Sequence, residues 1–291
     1  MNSIELTAPA KVNLVLKVLN KRKDSYHNLF TLFERISLAD RIKISRIDKG
    51  IIVTCDRHVT DRPQDNIAYK AAELILKTAK ADMGVKIHIK KRIPIAAGLG
   101  GGSSDAAAVL TGINKLFKLN ISKDKLIRLG AKLGADVPFF MFDAPFAIGR
   151  GIGDRLEKSN LNTKLYHIII YPGFKVATKD IYQALDLSRR LTNSHRDDRI
   201  TLPKDWDGFE GLLRNDLETI VTAKRPVVGK VIRCLASSLL GRKAMVSGSG
   251  PSVFCLCRTG KEAIEVKNRL LNSVPERSRK RWQVFIAWTR M

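Results

Sequence analysis

The sequence has few cysteines, no long apolar run and no recognisable targeting segment, and each absence excludes a class of protein. Four irregularly spaced cysteines in 291 residues are too few for a disulfide framework or paired C-x-x-C zinc half-sites, so we expect reduced thiols. Apolar runs such as Ile168–Ile170 fall far short of the roughly 18 residues that a membrane-spanning helix needs. No basic, apolar or Arg/Ser-rich leader precedes the first strand-like residues. We therefore predict a cytoplasmic protein that does not associate with membranes.

Acidic residues are also scarce, and the formal net charge is +24 from 52 Lys and Arg against 28 Asp and Glu. A charge of this size attracts polyanions, so nucleotides, nucleic acids and anionic membranes are all compatible partners. The basic residues are spread along the chain, and the short clusters at 21–23, 90–92 and 277–281 lack the interleaved aromatics of single-strand binders. The charge therefore favours a solvated basic surface over a dedicated nucleic-acid site.

Hydrophobic periodicity predicts an α+β protein. Apolar residues alternate with polar ones from Val12 to Val18, which predicts a strand with Lys11 and Asn13 on one face. We predict two domains, 1–155 and 156–291, divided after the glycine-rich segment Gly149–Gly153. A polar stretch at 188–204 lies within the second domain. Further strands are predicted at 41–47, 50–55 (paired with the preceding one), 85–89, 165–171, 244–246, 253–257 and 282–288. Helices are predicted at 66–81, 103–119, 123–133, 179–187, 206–223, 227–238 and 261–272.

A glycine-rich loop at 94–107 is the most informative segment, with four glycines and two serines between a strand and a helix. Glycine lets the backbone approach an anion, and a helix N-terminus adds partial positive charge, so the loop is suited to phosphate. Ser103 or Ser104 is expected to cap the helix. The loop has no G-x-x-x-x-G-K-[ST] pattern, and Ser103 stands where G-x-G-x-x-G requires its last glycine. A purely structural glycine-rich connection is the alternative.

Two more segments accompany this loop, Pro9–Leu14 near the start of the chain and Val246–Phe254 near its end. Together the three ordered segments resemble the GHMP kinases, the small-molecule kinases named for galactose, homoserine, mevalonate and phosphomevalonate. The resemblance covers nearly the whole chain. It implies a two-domain α+β kinase, with an N-terminal domain like one found in a ribosomal protein and a C-terminal ferredoxin-like α/β plait. Within the superfamily, four further segments resemble members that act on a cytidine diphosphate-linked methylerythritol: Ser25–Leu29, Gly134–Phe140, Gly149–Gly151 and Arg214–Glu218.

The resemblance implies roles only for matching residues. Asp136 is expected to accept the proton of the attacking hydroxyl, and Lys11 to stabilise the charge of the transferring phosphoryl group. Tyr26 is expected to stack on cytosine and His27 to hydrogen-bond its edge, with Tyr182 as a second stacking ring. The remaining substrate-binding residues are expected to be Asn13, Thr178, Ser249 and Gly250. The ATP-binding residues are expected to be Pro94, Ala96, Ala97, Gly98, Leu99, Gly100, Gly101, Gly102, Ser103 and Ser104.

The Asp105 carboxylate would repel the phosphates of ATP if no cation stood between them, so Mg²⁺ is expected to accompany ATP. The alternative is that Asp105 simply complements the helix dipole. The ligands of that metal are not assigned by the sequence. One alternative function is phosphorylation of homoserine, mevalonate or a sugar, and Tyr26 with His27 argues against it because those substrates have no base to stack. The other is a basic nucleic-acid-binding protein on a related fold, in which Lys11 and Asp136 would be idle. The sequence leaves the oligomeric state open between a monomer and a weak homodimer.

Overall fold

A computed structural model describes residues 2–80, 83–142, 144–188, 200–203, 205–239 and 242–291, and it confirms the mixed α+β class. The strands are β1 (Ser3–Lys21), β2 (His27–Ile47), β3 (Ile51–Cys55), β4 (Gly84–Lys90), β5 (Phe146–Arg150), β6 (Arg155–Lys158), β7 (Tyr166–Tyr171), β8 (Arg214–Asn215), β9 (Ala244–Val246), β10 (Val253–Cys257) and β11 (Gln283–Trp288). The helices are α1 (Ile67–Ala79), α2 (Gly101–Phe117), α3 (Lys123–Leu133), α4 (Val137–Met141), α5 (Thr178–Leu187), α6 (Trp206–Leu212), α7 (Glu218–Lys224), α8 (Pro226–Ser238), α9 (Gly260–Ser273) and α10 (Glu276–Arg281).

The first of two packing units comprises residues 1–10, 39–95 and 100–143. In it β4 lies between β3, to which it is parallel, and β2, to which it is antiparallel. The predicted pairing of 41–47 with 50–55 is therefore wrong. Val85, Ile87 and Ile89 are almost completely buried, so β4 takes the central position, and α1 provides the crossover that a parallel β3–β4 pair requires.

Local signals fix the helices of this unit. The Asn66 side chain accepts a hydrogen bond from the Ala68 backbone N–H (2.9 Å) and caps α1, and Lys80 ends that helix in the left-handed conformation. Residue 81, the last of the predicted helix, lies outside the described residues. The helix α3 has the predicted bounds, with Ser122 as its N-cap and Gly134 at its end. Buried side chains of α1, α2, α3 and the sheet form one core.

The second unit comprises residues 11–38, 96–99 and 144–291. Its antiparallel sheet has the order β11-β7-β10-β9, and buried side chains of β7 and β10 share a core with α8 and α9. Cys255 and Cys257 lie buried on β10, and all four cysteines are unpaired, as expected of reduced thiols. None of the helices within the described part of the chain is long and apolar enough to cross a membrane.

The single helix predicted over 206–223 is wrong. The chain leaves α6 and forms the short strand β8, in which Arg214 and Asn215 lie in register with Val15 and Leu16 of β1. The Asp216 backbone N–H also donates to the Leu16 carbonyl at 2.9 Å. These partners are distant in sequence, and they replace the hydrogen bonds that a continuous helix would make. Most of the polar stretch 188–204 lies outside the described residues, and the domain division after residue 155 stays a prediction.

Candidate active site

The first half of the glycine-rich loop, Ala96–Leu99, packs on the turn Ser247–Pro251. Ser247 Oγ donates to the Gly98 carbonyl (3.0 Å), and the Ser252 N–H donates to the Ala97 carbonyl (3.2 Å). Gly98 has φ +77°, and a Cβ on it would lie only 2.2 Å from the Ser247 carbonyl oxygen. Only glycine fits this position, and the loop and the C-terminal turn are thus closely packed on each other.

Lys11 and Asn13 lie beside this turn within the second unit. The Lys11 N–H donates to the Leu99 carbonyl (3.0 Å), and Lys11 Nζ donates to Asn13 Oδ1 (2.6 Å). Asn13 Nδ2 donates in turn to Thr31 Oγ1 (2.8 Å). A Cβ on Gly248 would lie 3.5 Å from Lys11 Nζ and 3.2 Å from Asn13 Oδ1. Residues from all three of the segments that carry the resemblance therefore meet at this point, and Lys11 and Asn13 are both buried.

The second half of the loop is the first turn of α2. Gly100 is the N-cap in the left-handed conformation (φ +70°), and the first helical hydrogen bond runs from the Ser104 N–H to the Gly100 carbonyl (2.9 Å). The prediction that Ser103 or Ser104 caps this helix is wrong, because the helix begins two residues before Ser103 and both serines lie inside its first turn. The N–H groups of the first turn have no acceptor within the helix, and they make its start a suitable anion site.

A buried ionic cluster beneath this turn was not predicted from the sequence. Lys91 Nζ donates to Asp40 Oδ2 (2.5 Å) and to Asp105 Oδ2 (2.8 Å), and the three side chains are at most 5% exposed. Asp40 Oδ1 also accepts from the N–H groups of Arg92 (2.5 Å) and Ile93 (2.8 Å). The cluster thus ties the chain that enters the glycine-rich loop to the helix that leaves it.

The charges of this cluster are unequal, because one ammonium faces two carboxylates. Burial raises the pKa of Asp105 to about 7, against the opposing charge of Lys91. Burial lowers the pKa of Lys91, but the charges of Asp105 and Asp40 outweigh that effect and raise it overall. A Cβ on Gly101 would lie 3.3 Å from Lys91 Nζ, so Lys91 reaches the underside of the first turn. Asp105 is a partner of Lys91, a use that the sequence did not indicate.

Asp136 stands at the N-cap of the short helix α4, with Pro138 in the first turn, and its side chain is half-buried. The chain reaches it through Gly134, where a Cβ would lie 3.9 Å from Ser103 Oγ. The segment that carries Asp136 is therefore packed against the first turn of α2. This places the predicted catalytic carboxylate in the same unit as the suitable anion site.

A depression of about 250 Å³ opens beside the start of α1. It adjoins the glycine-rich turn, since a Cβ on Gly102 would lie 3.5 Å from Ile67 Cγ2, one residue after Asn66 on the depression's wall. It was not predicted from the sequence, because its lining residues form no motif and most of them follow β3 in an irregular segment. Its walls are Val53, Cys55, Asp56, Arg57, His58, Val59, Thr60, Asp61, Pro63 and Asn66.

The residues predicted to bind the base lie in the second unit. Tyr26, in the hairpin between β1 and β2, is 60% exposed, whereas His27 is 5% exposed. The Tyr182 ring stacks on the His27 imidazole, with a centroid distance of 5.0 Å and an interplanar angle of 28°. Thr178 Oγ1 and Ser249 Oγ lie 2.8 Å apart, so these two predicted substrate residues are also brought together.

Comparison with known proteins places these features in a family. The family model for the GHMP kinase N-terminal domain matches residues 66–144, and the model for the GHMP kinase C-terminal domain matches residues 183–276. A crystal structure of homoserine kinase from Cytophaga hutchinsonii shares the fold at a TM-score of 0.72, with 18% identity over 100% of this chain and 95% of that one. The protein is thus a member of the GHMP kinases, enzymes that transfer phosphoryl groups from ATP to small molecules.

Closer relatives carry one name. The 4-diphosphocytidyl-2-C-methyl-D-erythritol kinase of Syntrophus aciditrophicus is 40% identical over 92% of this chain and 94% of that protein. The kinase of the same name from Geobacter metallireducens is 42% identical over 94% and 96%. A crystal structure of 4-(cytidine 5'-diphospho)-2C-methyl-D-erythritol kinase matches at a TM-score of 0.75, with 32% identity over 99% of this chain and 100% of that one. The chain belongs to the family of 4-diphosphocytidyl-2-C-methyl-D-erythritol kinases.

Proposed function

We propose that this enzyme transfers the terminal phosphoryl group of ATP to the 2-hydroxyl of 4-diphosphocytidyl-2-C-methyl-D-erythritol, a step of the non-mevalonate isoprenoid pathway. Relatives that bear this substrate in their name support the proposal. The observation that carries it is the meeting of Lys11, the loop around Gly98 and the turn at Ser247–Pro251. A chain that had lost kinase activity would have no need for this arrangement.

Asp136 accepts the proton of the attacking hydroxyl in this proposal, and Lys11 stabilises the charge of the transferring phosphoryl group. Phosphoryl transfer passes through a loose transition state, so positioning and charge neutralisation supply most of the acceleration. Base catalysis then adds a smaller factor. The buried position of Lys11 supports its role, because a cation in a site of low polarity acts strongly on a nearby anion.

ATP places its phosphates at the start of α2 and its nucleoside in the adjoining depression. The free N–H groups of the first turn bind phosphate oxygens, and the glycines of the loop let those oxygens approach the backbone. The remaining loop residues from Pro94 to Ser104 shape the same site. The depression supports the proposal because it is a recess that lies beside this turn.

Mg²⁺ accompanies ATP in this proposal, with most of its ligands supplied by phosphate oxygens and water. Ser104 Oγ is the proposed protein ligand, because it is buried in the first turn of α2 without a hydrogen-bond partner. Among the described residues there is no group of three or more His, Cys, Asp or Glu side chains that would hold a metal alone. That finding fits Mg²⁺, which is usually held by one or two protein groups plus substrate phosphates. The metal would neutralise phosphate charge.

The base of the acceptor substrate is recognised by Tyr26, His27 and Tyr182. Tyr26 is exposed and available for stacking, and His27 is buried and held in one orientation. The rest of the substrate is bound by Asn13, Thr178, Ser249 and Gly250. The cytoplasmic location stays a prediction, and so does the oligomeric state, either a monomer or a weak homodimer.

ADP release in the presence of Mg²⁺ tests the function directly. The assay compares 4-diphosphocytidyl-2-C-methyl-D-erythritol with mevalonate, homoserine and galactose at one ionic strength. We expect turnover with the cytidyl substrate alone. Turnover with another of these alcohols instead would overturn the substrate and keep the class. A mobility shift of RNA caused by the protein, without turnover of any of the four substrates, would contradict the proposal.

A further inference from the structure

Asp186 lies where a helix ends beside the proposed base-binding residues. It is in the last turn of α5, four residues after Tyr182, so both side chains lie on one face of the helix. Its Oδ1 is 2.8 Å from His27 Nε2, and its Oδ2 accepts a hydrogen bond from Lys21 Nζ at 2.7 Å. The His27 ring, stacked on Tyr182, is therefore held on one side by an aromatic face and at one edge by a carboxylate.

The position of this carboxylate is unfavourable for the helix itself. The last turn of a helix carries partial negative charge, which disfavours an acidic side chain there. Burial also opposes the ionisation of Asp186, but hydrogen bonds from Lys21 and His27 outweigh it and keep its pKa below the usual value. A local rule is broken here without a gain for α5, which is a common mark of a functional residue.

The ionised carboxylate determines where His27 carries its proton. A carboxylate only accepts hydrogen bonds, so the short contact requires that Nε2 donates. In a neutral imidazole the other nitrogen, Nδ1, is then an acceptor. Cytosine presents an amino donor at the position where uracil presents a carbonyl acceptor. An accepting Nδ1 complements the amino group and repels the carbonyl.

We propose that Asp186 is a positioning residue that fixes the proton of His27 on Nε2 and thereby makes the enzyme select a cytidine over a uridine substrate. The proposal rests on the proposed function, because it assumes that the base of the acceptor substrate meets His27. Lys21 completes the device, since it occupies the second carboxylate oxygen and keeps Asp186 oriented toward the ring.

A merely structural tether would join the hairpin between β1 and β2 to α5 just as well, so the test has to locate the proton. The ring nitrogens of His27 are observed by ¹⁵N NMR in the protein without substrate, with the His27→Gln variant assigning the signals. We expect a protonated Nε2 and an unprotonated Nδ1 at a pH where the ring is neutral. A proton on Nδ1 alone would overturn the proposal, and this result requires no enzymatic activity.

The variant Asp186→Asn reverses the hydrogen bond. Lys21 attracts the amide oxygen, so the amide nitrogen faces His27 Nε2 and donates to it, and the ring proton moves to Nδ1. We expect the KM of the cytidyl substrate to rise about tenfold and its advantage over the uridyl analogue to fall about tenfold, the scale of one hydrogen bond in a partly buried site. The kcat and the KM of ATP should change by less than about twofold.

The matched control is Asp180→Asn, which makes the same charge change on the exposed side of α5. It should leave the base selectivity unchanged. Unchanged selectivity in Asp186→Asn, with its ring proton moved, would overturn the role of His27 in selection. Absence of turnover by the unmodified enzyme would instead count against the proposed function. The NMR experiment would still show which ring nitrogen of His27 carries the proton.

Discussion

Two clusters in this protein each place a lysine on an aspartate, and they differ in burial. Around Lys91 every charged side chain is at most 5% exposed, and two carboxylates share one ammonium. Around Asp186 the carboxylate is 23% exposed and Lys21 is 48% exposed. Breaking a buried pair leaves a charge without compensation, whereas an exposed pair contributes little to stability. The first cluster therefore stabilises the fold beneath the glycine-rich loop, whereas the second contributes little to stability and suits the proposed role in base recognition.

The largest effect is expected from breaking the buried cluster. Lys91→Met leaves two carboxylates buried without their cation, and we expect the free energy of unfolding to fall by about 3–5 kcal/mol. Urea unfolding followed by circular dichroism at pH 7.5 measures it. The control is Lys90→Met, a neighbouring exposed lysine whose loss should cost little. A change below about 1 kcal/mol in Lys91→Met would contradict the structural role of the cluster.

A carboxylate outside both clusters separates chemistry from stability. Asp136→Asn should lower kcat by about a hundredfold or more, because the amide cannot accept the hydroxyl proton. The affinity for ATP and the urea midpoint should remain close to those of the unmodified enzyme. Single-turnover kinetics and ATP titration provide the measurements, with the exposed Asp124→Asn as charge-matched control. An unchanged kcat would remove Asp136 from its proposed role.

Tyr26, which precedes His27 in the chain, should affect substrate binding alone. Tyr26→Ala removes a ring that is 60% exposed, so stability should not change. A stacking interaction is worth about 0.5–1.5 kcal/mol, which corresponds to a KM for the cytidyl substrate raised by up to about tenfold. Steady-state kinetics tests this, and Tyr26→Phe should keep the original KM. A loss confined to kcat would disagree with stacking.

The smallest effect concerns Glu218, a half-buried carboxylate outside both clusters. Burial raises the pKa of Glu218, whose Oε2 accepts from the Val246 N–H at 2.8 Å. A raised carboxyl pKa means that ionisation costs stability, and this cost grows as the pH rises above the unfolded value. Glu218→Gln should therefore have the higher melting temperature at pH 8, with the difference shrinking toward pH 4. A difference independent of pH would show that ionisation is not the cause.

Local patterns predicted the elements whose signals are local. The bounds of α3, β9 and β10 agree with the sequence because the signals are local to each element: periodicity within all three, and the Gly134 stop directly after α3. The break between α6 and α7 was missed because β8 takes its hydrogen bonds from β1, far away in the chain. Pairing partners of a strand cannot be seen in its own periodicity.

The candidate site divides in the same way. The glycine-rich loop and the turn at Ser247–Pro251 were visible as short motifs, and the structure shows them packed on each other. The partners of Lys91 were not visible, because Asp40 and Asp105 lie 51 and 14 residues away. Asp186 is 159 residues from His27, and only folding shows that a carboxylate meets that ring.

The contact at Gly98 has a consequence for how this sequence can change over time. A side chain there would meet the carbonyls of Ser247 at 2.2 Å and Gly250 at 2.9 Å, and the backbone conformation (φ +77°) also excludes one. Neither segment can change independently, because a bulkier residue in one would require the backbone of the other to move away. Although they stand 149 residues apart, they have to be inherited as a matched pair.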